Sequence, residues 1–294
     1  MELCFFPGCN MPANRPDAES AIRLTLPALG VPLHDVPGYV CCPAFGAFPS
    51  TDDESHFAAS GWNISLVEEQ GHDIMVQCGS CYSSLHMGLE HFHEDKKLRA
   101  RINELLEPTG RQVNGTTTVR HVTDVLYNEV GPEKIAEKVK KKLTGIHGVV
   151  QYPCHTLFPS DVVGFEKSPR RPVALRRITE ALGATVDAYS LEYGCCGGAG
   201  GFSKTSPAEA DAFTKAKLAA IINETKAEFI VVSCITCLIY MDSIQQKLNK
   251  QAGKEIYNIP VFDDNQLLAL CMGFDGDKVA TISKTPRDSI LRHF

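Results

Sequence analysis

Two adjacent cysteines open a glycine-rich stretch at residues 193–201, and a weaker version of this stretch occurs at residues 38–43. Neighbouring side chains point to opposite faces of a strand and diverge by about 100° on a helix. Two adjacent thiols therefore reach one inorganic centre only across a tight turn, which glycine permits because it tolerates positive φ. The pairs Cys41-Cys42 and Cys195-Cys196 are thus predicted ligands of a metal or cluster. The alternative is a pair of buried apolar cysteines beside a flexible loop.

The composition supports metal or redox chemistry. The chain has 294 residues, 12 cysteines and a net charge of -6. A chain of this length does not depend on disulfides, and thiols inside cells are normally kept reduced, so this cysteine count indicates metal or redox chemistry. The sequence has no long basic run, which argues against a nucleic-acid partner. It also has no signal peptide and no apolar window long enough to span a bilayer, so we expect a soluble cytosolic protein.

The elements that carry the cysteines are predicted to occur twice in the same order, as expected of an internal repeat. The predicted order in the first copy is strand 3–6, helix 17–29, strand 31–36, helix 51–69 and strand 72–77. The predicted order in the second copy is strand 149–152, helix 173–182, strand 184–188, helix 206–225 and strand 228–233. The long helix of each copy begins with a capping-box pattern at Thr51 or Ser206. Cys78 follows Thr51 by 27 positions, and Cys234 follows Ser206 by 28.

Each copy closes with a further strand and helix, at residues 117–128 and 260–272, and a charged helix at 133–142 joins the copies. Strands that alternate with helices favour an α/β fold with mainly parallel sheets. We therefore predict two repeated Rossmann-like halves, residues 1–144 and 145–294. Ligands of such sheets bind at the carboxyl ends of the strands, where the cysteines of both copies lie.

Each half presents one cysteine after its first strand, then a Cys-Cys pair, then a Cys-x-x-Cys. The two sets are Cys9, Cys41, Cys42, Cys78 and Cys81, and Cys154, Cys195, Cys196, Cys234 and Cys237. Five thiolates are one more than a cubane [4Fe–4S] cluster or a tetrahedral zinc ion uses. Either one cysteine per half is a spectator or the cluster is not a cubane. Structural zinc and a thioredoxin-like dithiol remain alternatives, whereas Cys4 and Cys271 are predicted core thiols.

This duplicated pattern resembles the CCG (cysteine-rich) domain family, and in particular the B subunits of the heterodisulfide reductases of methanogenic archaea. The resemblance covers nearly the whole chain, but Pro43 stands where the family has the glycine of Cys-Cys-Gly. It implies that the five cysteines of each copy bind a non-cubane [4Fe–4S] cluster, so that this chain would hold two. No signature of a flavin or nucleotide site is present.

The resemblance also implies reduction of the mixed disulfide of coenzyme M and coenzyme B. The implied partners are the iron–sulfur C subunit and the flavin-containing A subunit of heterodisulfide reductase, with a hydrogenase or a formate dehydrogenase. His155 is a candidate proton donor, and Lys204 is a candidate ligand for an anionic group of the substrate. Two alternative functions remain. The chain could be an electron-transfer subunit of another redox complex, for succinate, fumarate, glycerol-3-phosphate, lactate or sulfur metabolism, or it could be a zinc-stabilised scaffold subunit.

Overall fold

The computed structural model describes residues 2–44, 50–166, 168, 171–198 and 201–294. Two residues of the predicted glycine stretch, 199 and 200, lie outside this described part. The strands of the first half are β1 (Leu3–Phe6), β2 (Leu33–Asp35), β3 (Asp73–Val76) and β4 (Val119–His121). Its helices are α1 (Asn10–Asn14), α2 (Pro16–Ala28), α3 (Asp53–Glu68), α4 (Gly79–Glu94), α5 (Lys96–Leu106) and α6 (Val122–Asp124), the last continued by a π-helical turn (Val125–Val130), and then α7 (Pro132–Lys138).

The second half repeats this order. Its strands are β5 (His147–Gln151), β6 (Thr185–Val186), β7 (Phe229–Val232) and β8 (Val261–Asp263). Its helices are α8 (Ala174–Ala181), α9 (Phe202–Thr205), α10 (Pro207–Glu224), α11 (Ile235–Ala252), α12 (Asp264–Cys271), α13 (Gly276–Val279) and α14 (Asp288–Leu291), with a 3₁₀ turn at Cys154–Thr156.

Each half has one four-stranded sheet in which every strand pair is parallel. The strand orders are β2-β1-β3-β4 and β6-β5-β7-β8, so the two sheets have the same topology. The inner strands β1 and β7 are buried along their whole length, because helices cover both faces of a parallel sheet. The predicted α/β fold of two repeated, parallel halves is confirmed.

The halves exchange helix contacts in a reciprocal way. Helix α12, the last long helix of the second half, packs on α2, the first long helix of the first half. Conversely, α7 and the π-helical turn of the first half pack on α8. The buried side chains consequently form one continuous core across both sheets. The boundary at residues 144 and 145 falls between the sheets, but as a division into independent units it stays a prediction.

Several predicted element ends differ from the structure. Asp52, and not Thr51, caps α3, because its carboxylate accepts from the backbone N–H of Ser55 at 3.0 Å. Ser206 precedes α10, but its side chain makes no capping hydrogen bond. The joining helix ends at Lys138, four residues earlier than predicted. There the chain becomes extended, and the N–H groups of Lys140 and Lys141 donate to the carbonyl of Cys271 at 2.8 and 3.0 Å.

Candidate metal centre

Helix starts at the carboxyl ends of four strands position six of the ten predicted sulfur ligands. Cys9 immediately precedes α1, after β1, and Cys154 begins the 3₁₀ turn after β5. The Cys-x-x-Cys motifs begin at the N-caps of α4 and α11, so that their second cysteine lies in the first helical turn. Residues three apart on a helix share a face, which directs both sulfurs of each motif toward one point.

The five sulfurs of the first half form a continuous series of contacts. Their order is Cys9, Cys41, Cys42, Cys81 and Cys78, each thiol lying against the next. The Cys42 and Cys81 Sγ atoms are 3.1 Å apart. The structure therefore brings the whole predicted set together and leaves out none of its members.

The second half repeats the series with equivalent residues. Their order is Cys154, Cys195, Cys196, Cys237 and Cys234. The Cys196 and Cys237 Sγ atoms are also 3.1 Å apart, the same separation as between their counterparts in the first half. The sequence repeat is thus a repeat of side-chain geometry as well.

The two sulfur sets meet at one point between the halves. The Sγ atoms of Cys78 and Cys234 are 3.9 Å apart, and the N–H of Gly79 donates to the Cys234 Sγ at 3.3 Å. A Cβ added to Gly79 would lie 3.0 Å from the Pro153 side chain, so a larger residue would push the halves apart. Two groups bound by these sets would consequently be neighbours.

Glycine is required at the second Cys-Cys pair, as the sequence predicted. Gly197 has φ of +90°, and a Cβ there would lie 2.5 Å from the carbonyl oxygen of Ala210. A Cβ on Gly198 would lie 2.7 Å from the Tyr240 side chain. The N–H groups of both glycines donate to sulfurs, Gly197 to Cys195 at 3.3 Å and Gly198 to Cys196 at 3.4 Å. This turn therefore both bends the chain and presents donors to the sulfurs.

A cavity of about 530 Å³ opens beside the first sulfur set. All five of its cysteines line one wall, and residues of the second half line the other, including Lys204. Sequence reasoning missed three further polar residues there, Asp211, Tyr240 and Lys247. The Tyr240 hydroxyl donates to Asp211 at 3.1 Å, and Lys247 pairs with Asp211 at 2.5 Å. Helical periodicity could have found two of them, since Tyr240, Ile244 and Lys247 follow Cys237 along one face of α11.

A family model described as the cysteine-rich domain, CCG, matches residues 3–86 and again residues 149–242. The chain belongs to the CCG cysteine-rich domain family. A protein of Archaeoglobus profundus that is named as similar to the B subunit of heterodisulfide reductase is 42% identical over 98% of this chain and 96% of the relative. The B subunit of a ferredoxin/F420H2-dependent CoB-CoM heterodisulfide reductase of Methanosarcina acetivorans is 35% identical over 95% and 91% of the two chains. An 8-methylmenaquinol:fumarate reductase membrane anchor subunit of Wolinella succinogenes is 30% identical over 92% of each chain.

These similarities identify the chain as a relative of oxidoreductase subunits that work within multi-subunit complexes. Among the residues that the structure describes, no helix is both long enough and apolar enough to cross a membrane.

The donor set of each CCG copy fits an iron–sulfur group. All twelve cysteines are free thiols, because the shortest sulfur contacts exceed the roughly 2.05 Å of a disulfide bond. Contact with Cys42 and burial raise the pKa of Cys81 well above its ordinary value, and Cys196 and burial do the same for Cys237. Crowded, buried thiolates repel one another unless cationic metal compensates their charge, and soft sulfur donors prefer iron–sulfur groups, zinc or copper(I).

The two remaining cysteines are separate from these sets, as predicted. Burial, followed by the nearby charge of Asp35, raises the pKa of Cys4 to about 11, and its thiol donates to the Gln70 side chain at 3.3 Å. Burial raises the pKa of Cys271 to about 12. Both thiols are fully buried and stay protonated, which is typical of packing residues.

His155 lies between the copies, close to Gly79 at the junction of the sulfur sets. Its Nδ1 is 2.8 Å from the Ser83 hydroxyl of α4, and it is not among the residues that line the cavity. Burial lowers the pKa of His155, so the neutral imidazole predominates at neutral pH. The structure thus places Lys204 in the cavity and His155 outside it.

Proposed function

We propose that this chain is the disulfide-reducing subunit of a heterodisulfide reductase-type complex and that each CCG copy binds one non-cubane [4Fe–4S] cluster. The observation that carries the proposal is the contact between Cys78 and Cys234, which joins two complete five-sulfur sets, the first of which lines a cavity. A relay needs only one such set, whereas cleavage of a disulfide into two thiols consumes two electrons. The substrate, by the names of the relatives, is the mixed disulfide of coenzyme M and coenzyme B.

The reaction balances as one disulfide, two electrons and two protons giving two thiols. When bound, the clusters would supply the two electrons, one from each CCG copy. Partner proteins that carry iron–sulfur or flavin groups must replace those electrons, in keeping with the C and A subunits of heterodisulfide reductase and a hydrogenase or formate dehydrogenase. The cavity residues bind and orient the disulfide, in which only the S–S bond breaks.

Lys204 and Lys247 give the cavity wall a positive character suited to the anionic groups of the substrate. The charge of Lys247 is already paired with Asp211, whereas Lys204 is exposed. Lys204 is therefore the residue that we propose to bind a sulfonate, phosphate or carboxylate group of the disulfide. His155, whose Nδ1 is 2.8 Å from the Ser83 hydroxyl, is proposed to take up a proton from solvent and, as the imidazolium, to pass it to a product thiolate near the junction of the sulfur sets.

Metal analysis of the protein purified without oxygen tests the cluster assignment. We expect about eight irons, an equal amount of acid-labile sulfide and no zinc per chain, from two four-iron clusters. The variants C41S and C195S should each retain about half of the iron and lose turnover of the disulfide. C271A is the matched control, because it removes a thiol outside both sets and should keep the full iron content. Zinc in place of iron, or turnover by C195S, would contradict the proposal.

The fumarate reductase relative favours a second candidate function, in which the clusters transfer electrons without contacting a disulfide. Titration of the oxidised protein with the disulfide, followed by electron paramagnetic resonance, separates the two functions. A disulfide-reducing subunit should give a new paramagnetic signal that depends on substrate and disappears in C41S. A relay should give the same spectra with and without the disulfide.

A further inference from the structure

A fully buried lysine, Lys217, packs against the loop that precedes the Cys-Cys pair of the second CCG copy. Lys217 is 1% exposed, and its ammonium donates to the carbonyl oxygen of Leu191 and lies 5.4 Å from the ring centroid of Tyr189. A Cβ on Gly194, the residue before Cys195, would be 3.8 Å from the Lys217 Nζ. The cation is therefore packed directly against the loop that carries the Cys-Cys pair.

The environment of Lys217 indicates that its charge acts on the sulfur site. Burial lowers its pKa to about 8, but nearby sulfurs favour the charged form. Those sulfurs are Cys196, Cys237, Cys195 and Cys154, four of the five in the set. In the part of the chain that the structure describes, no carboxylate lies within 4.0 Å of the ammonium. The charge of the nearby Glu192 also interacts with Lys217, but the direct ion pair of Glu192 is with Arg176 at 3.0 Å.

The first copy has a neutral residue at the equivalent position. Asn63 is eleven residues beyond Asp52, the N-cap of α3, and Lys217 is eleven residues beyond Ser206, the N-cap of α10. Asn63 is also buried, and its Oδ1 accepts from the N–H of Val40, the residue before Cys41, at 2.9 Å. Asn63 and Lys217 thus each pack against the loop that carries a Cys-Cys pair, but only Lys217 is charged.

We propose that Lys217 raises the reduction potential of the group bound by the second CCG copy, so that this copy is reduced more readily than it would be with a neutral residue. The inference rests on the proposed function, because it requires an iron–sulfur group in that set. Reduction adds negative charge to such a group, and a fixed cation in a buried, low-dielectric site stabilises that charge. Lys217 is a positioning residue, since it contacts the loop of the Cys-Cys pair and is not among the residues that line the cavity.

Solvent exposure affects the difference in reduction potential between the two copies in the opposite direction to Lys217. Cys9 and Cys41 of the first set are exposed, whereas their counterparts Cys154 and Cys195 are half-buried. Water also stabilises a more negative reduced group, which raises the potential of the first copy. The wild-type potential difference consequently combines two effects, and single substitutions at Lys217 separate them.

Potentiometric titration with electron paramagnetic resonance detection tests the proposal on anaerobically purified K217Q, K217R and K215Q. The signal of the second copy is identified as the one lost in C195S. In K217Q we expect the ratio of reduced to oxidised second-copy group at a fixed potential to fall at least tenfold, about 59 mV for one electron. K217R keeps the charge and should stay within threefold of wild type. Lys215 is exposed on the same helix, so K215Q is the matched control and should change neither group.

An unchanged midpoint in K217Q with its full iron content, or an equal shift in K215Q, would overturn the proposal. If K217Q loses iron but K217R does not, the loss follows the charge and supports the proposal. Loss of iron from both would make Lys217 a packing residue only and overturn it. A wild-type protein without iron would instead refute the proposed function, and this inference with it.

Discussion

The two CCG copies share a sulfur geometry but differ in what surrounds it. The loop after the first Cys-Cys pair begins with Pro43, which has no N–H, whereas Gly197 at the equivalent place donates one to Cys195. The cavity opens on the first set, and the buried cation Lys217 lies behind the second. The repeat thus provides two similar sulfur sets in different surroundings, with a cavity at the first and a buried cation close to the second.

From this difference we infer that the two copies contribute differently to the proposed reaction. Hydrogen bonds to sulfur and nearby charge are the main means by which a protein adjusts an iron–sulfur group. The second copy has both of them in Gly197, Gly198 and Lys217. If the copies were interchangeable, equivalent changes in each would have equal effects, and the following predictions test whether they do.

The largest difference between the copies is expected when the residue after each Cys-Cys pair, Pro43 or Gly197, is replaced by alanine. G197A should remove the second iron–sulfur group, because alanine at φ of +90° is strained and its Cβ would lie 2.5 Å from the Ala210 carbonyl oxygen. We expect the iron content to fall by about half. P43A is the matched change in the first copy, where no glycine is needed, and it should retain all of the iron. Equal iron contents in G197A and wild type would show that the tight turn is dispensable.

A smaller but still large effect is expected where the halves contact each other. Asp17 of α2 is buried between Arg15, at 3.1 Å, and the Gln266 side chain of α12, at 2.7 Å, with Arg287 also close. D17N leaves two buried guanidinium groups without their carboxylate, which typically costs about 3–5 kcal/mol. Denaturant titration under anaerobic conditions measures the free energy of unfolding.

An exposed ion pair within the first half offers the control for D17N. Arg120 of β4 and Glu129 of the π-helical turn form a pair at 3.1 Å, and the Glu129 side chain is 41% exposed. E129Q should therefore change the free energy of unfolding by less than about 1 kcal/mol. Similar losses in D17N and E129Q would mean that the buried contacts of Asp17 between the halves add nothing beyond an exposed ion pair, contrary to this interpretation.

The periodic and duplicated features of the sequence were enough to predict the parallel sheets and both sulfur sets. The inner strands β1, β3, β5 and β7 each contain a short apolar run, and the cysteine spacing repeats almost unchanged, so local patterns carried that information. The contact between Cys78 and Cys234 was predictable only as a general facing of two crevices. Its geometry depends on the packing of α12 on α2 and of α7 on α8, which no local pattern specifies.

Charges that act over a distance were harder to predict. Lys217 lies in a helix rich in alanine and resembles an ordinary surface lysine in sequence, yet only 1% of it is exposed. Asp211 and Lys247 come from separate helices and form a pair only when α10 packs on α11. Lys204 was predicted from its position after the glycine stretch, whereas its place opposite the first sulfur set required the structure.

The smallest of the three effects is expected for residues that line the cavity. The lysines that line it belong to the second copy, and the cysteines that line it belong to the first. Among the described residues Lys204 has no ion-pair partner, and its side chain is exposed. K204Q should therefore raise the KM for the disulfide about tenfold with little change in kcat, as expected for loss of one charge-assisted contact of about 1.4 kcal/mol. K247Q is the matched change, and its effect should be smaller because Asp211 already neutralises Lys247. Steady-state kinetics with an artificial electron donor measures both constants. A larger KM effect in K247Q than in K204Q would reverse the roles of the two lysines, and no effect in either would place the anionic groups of the substrate elsewhere.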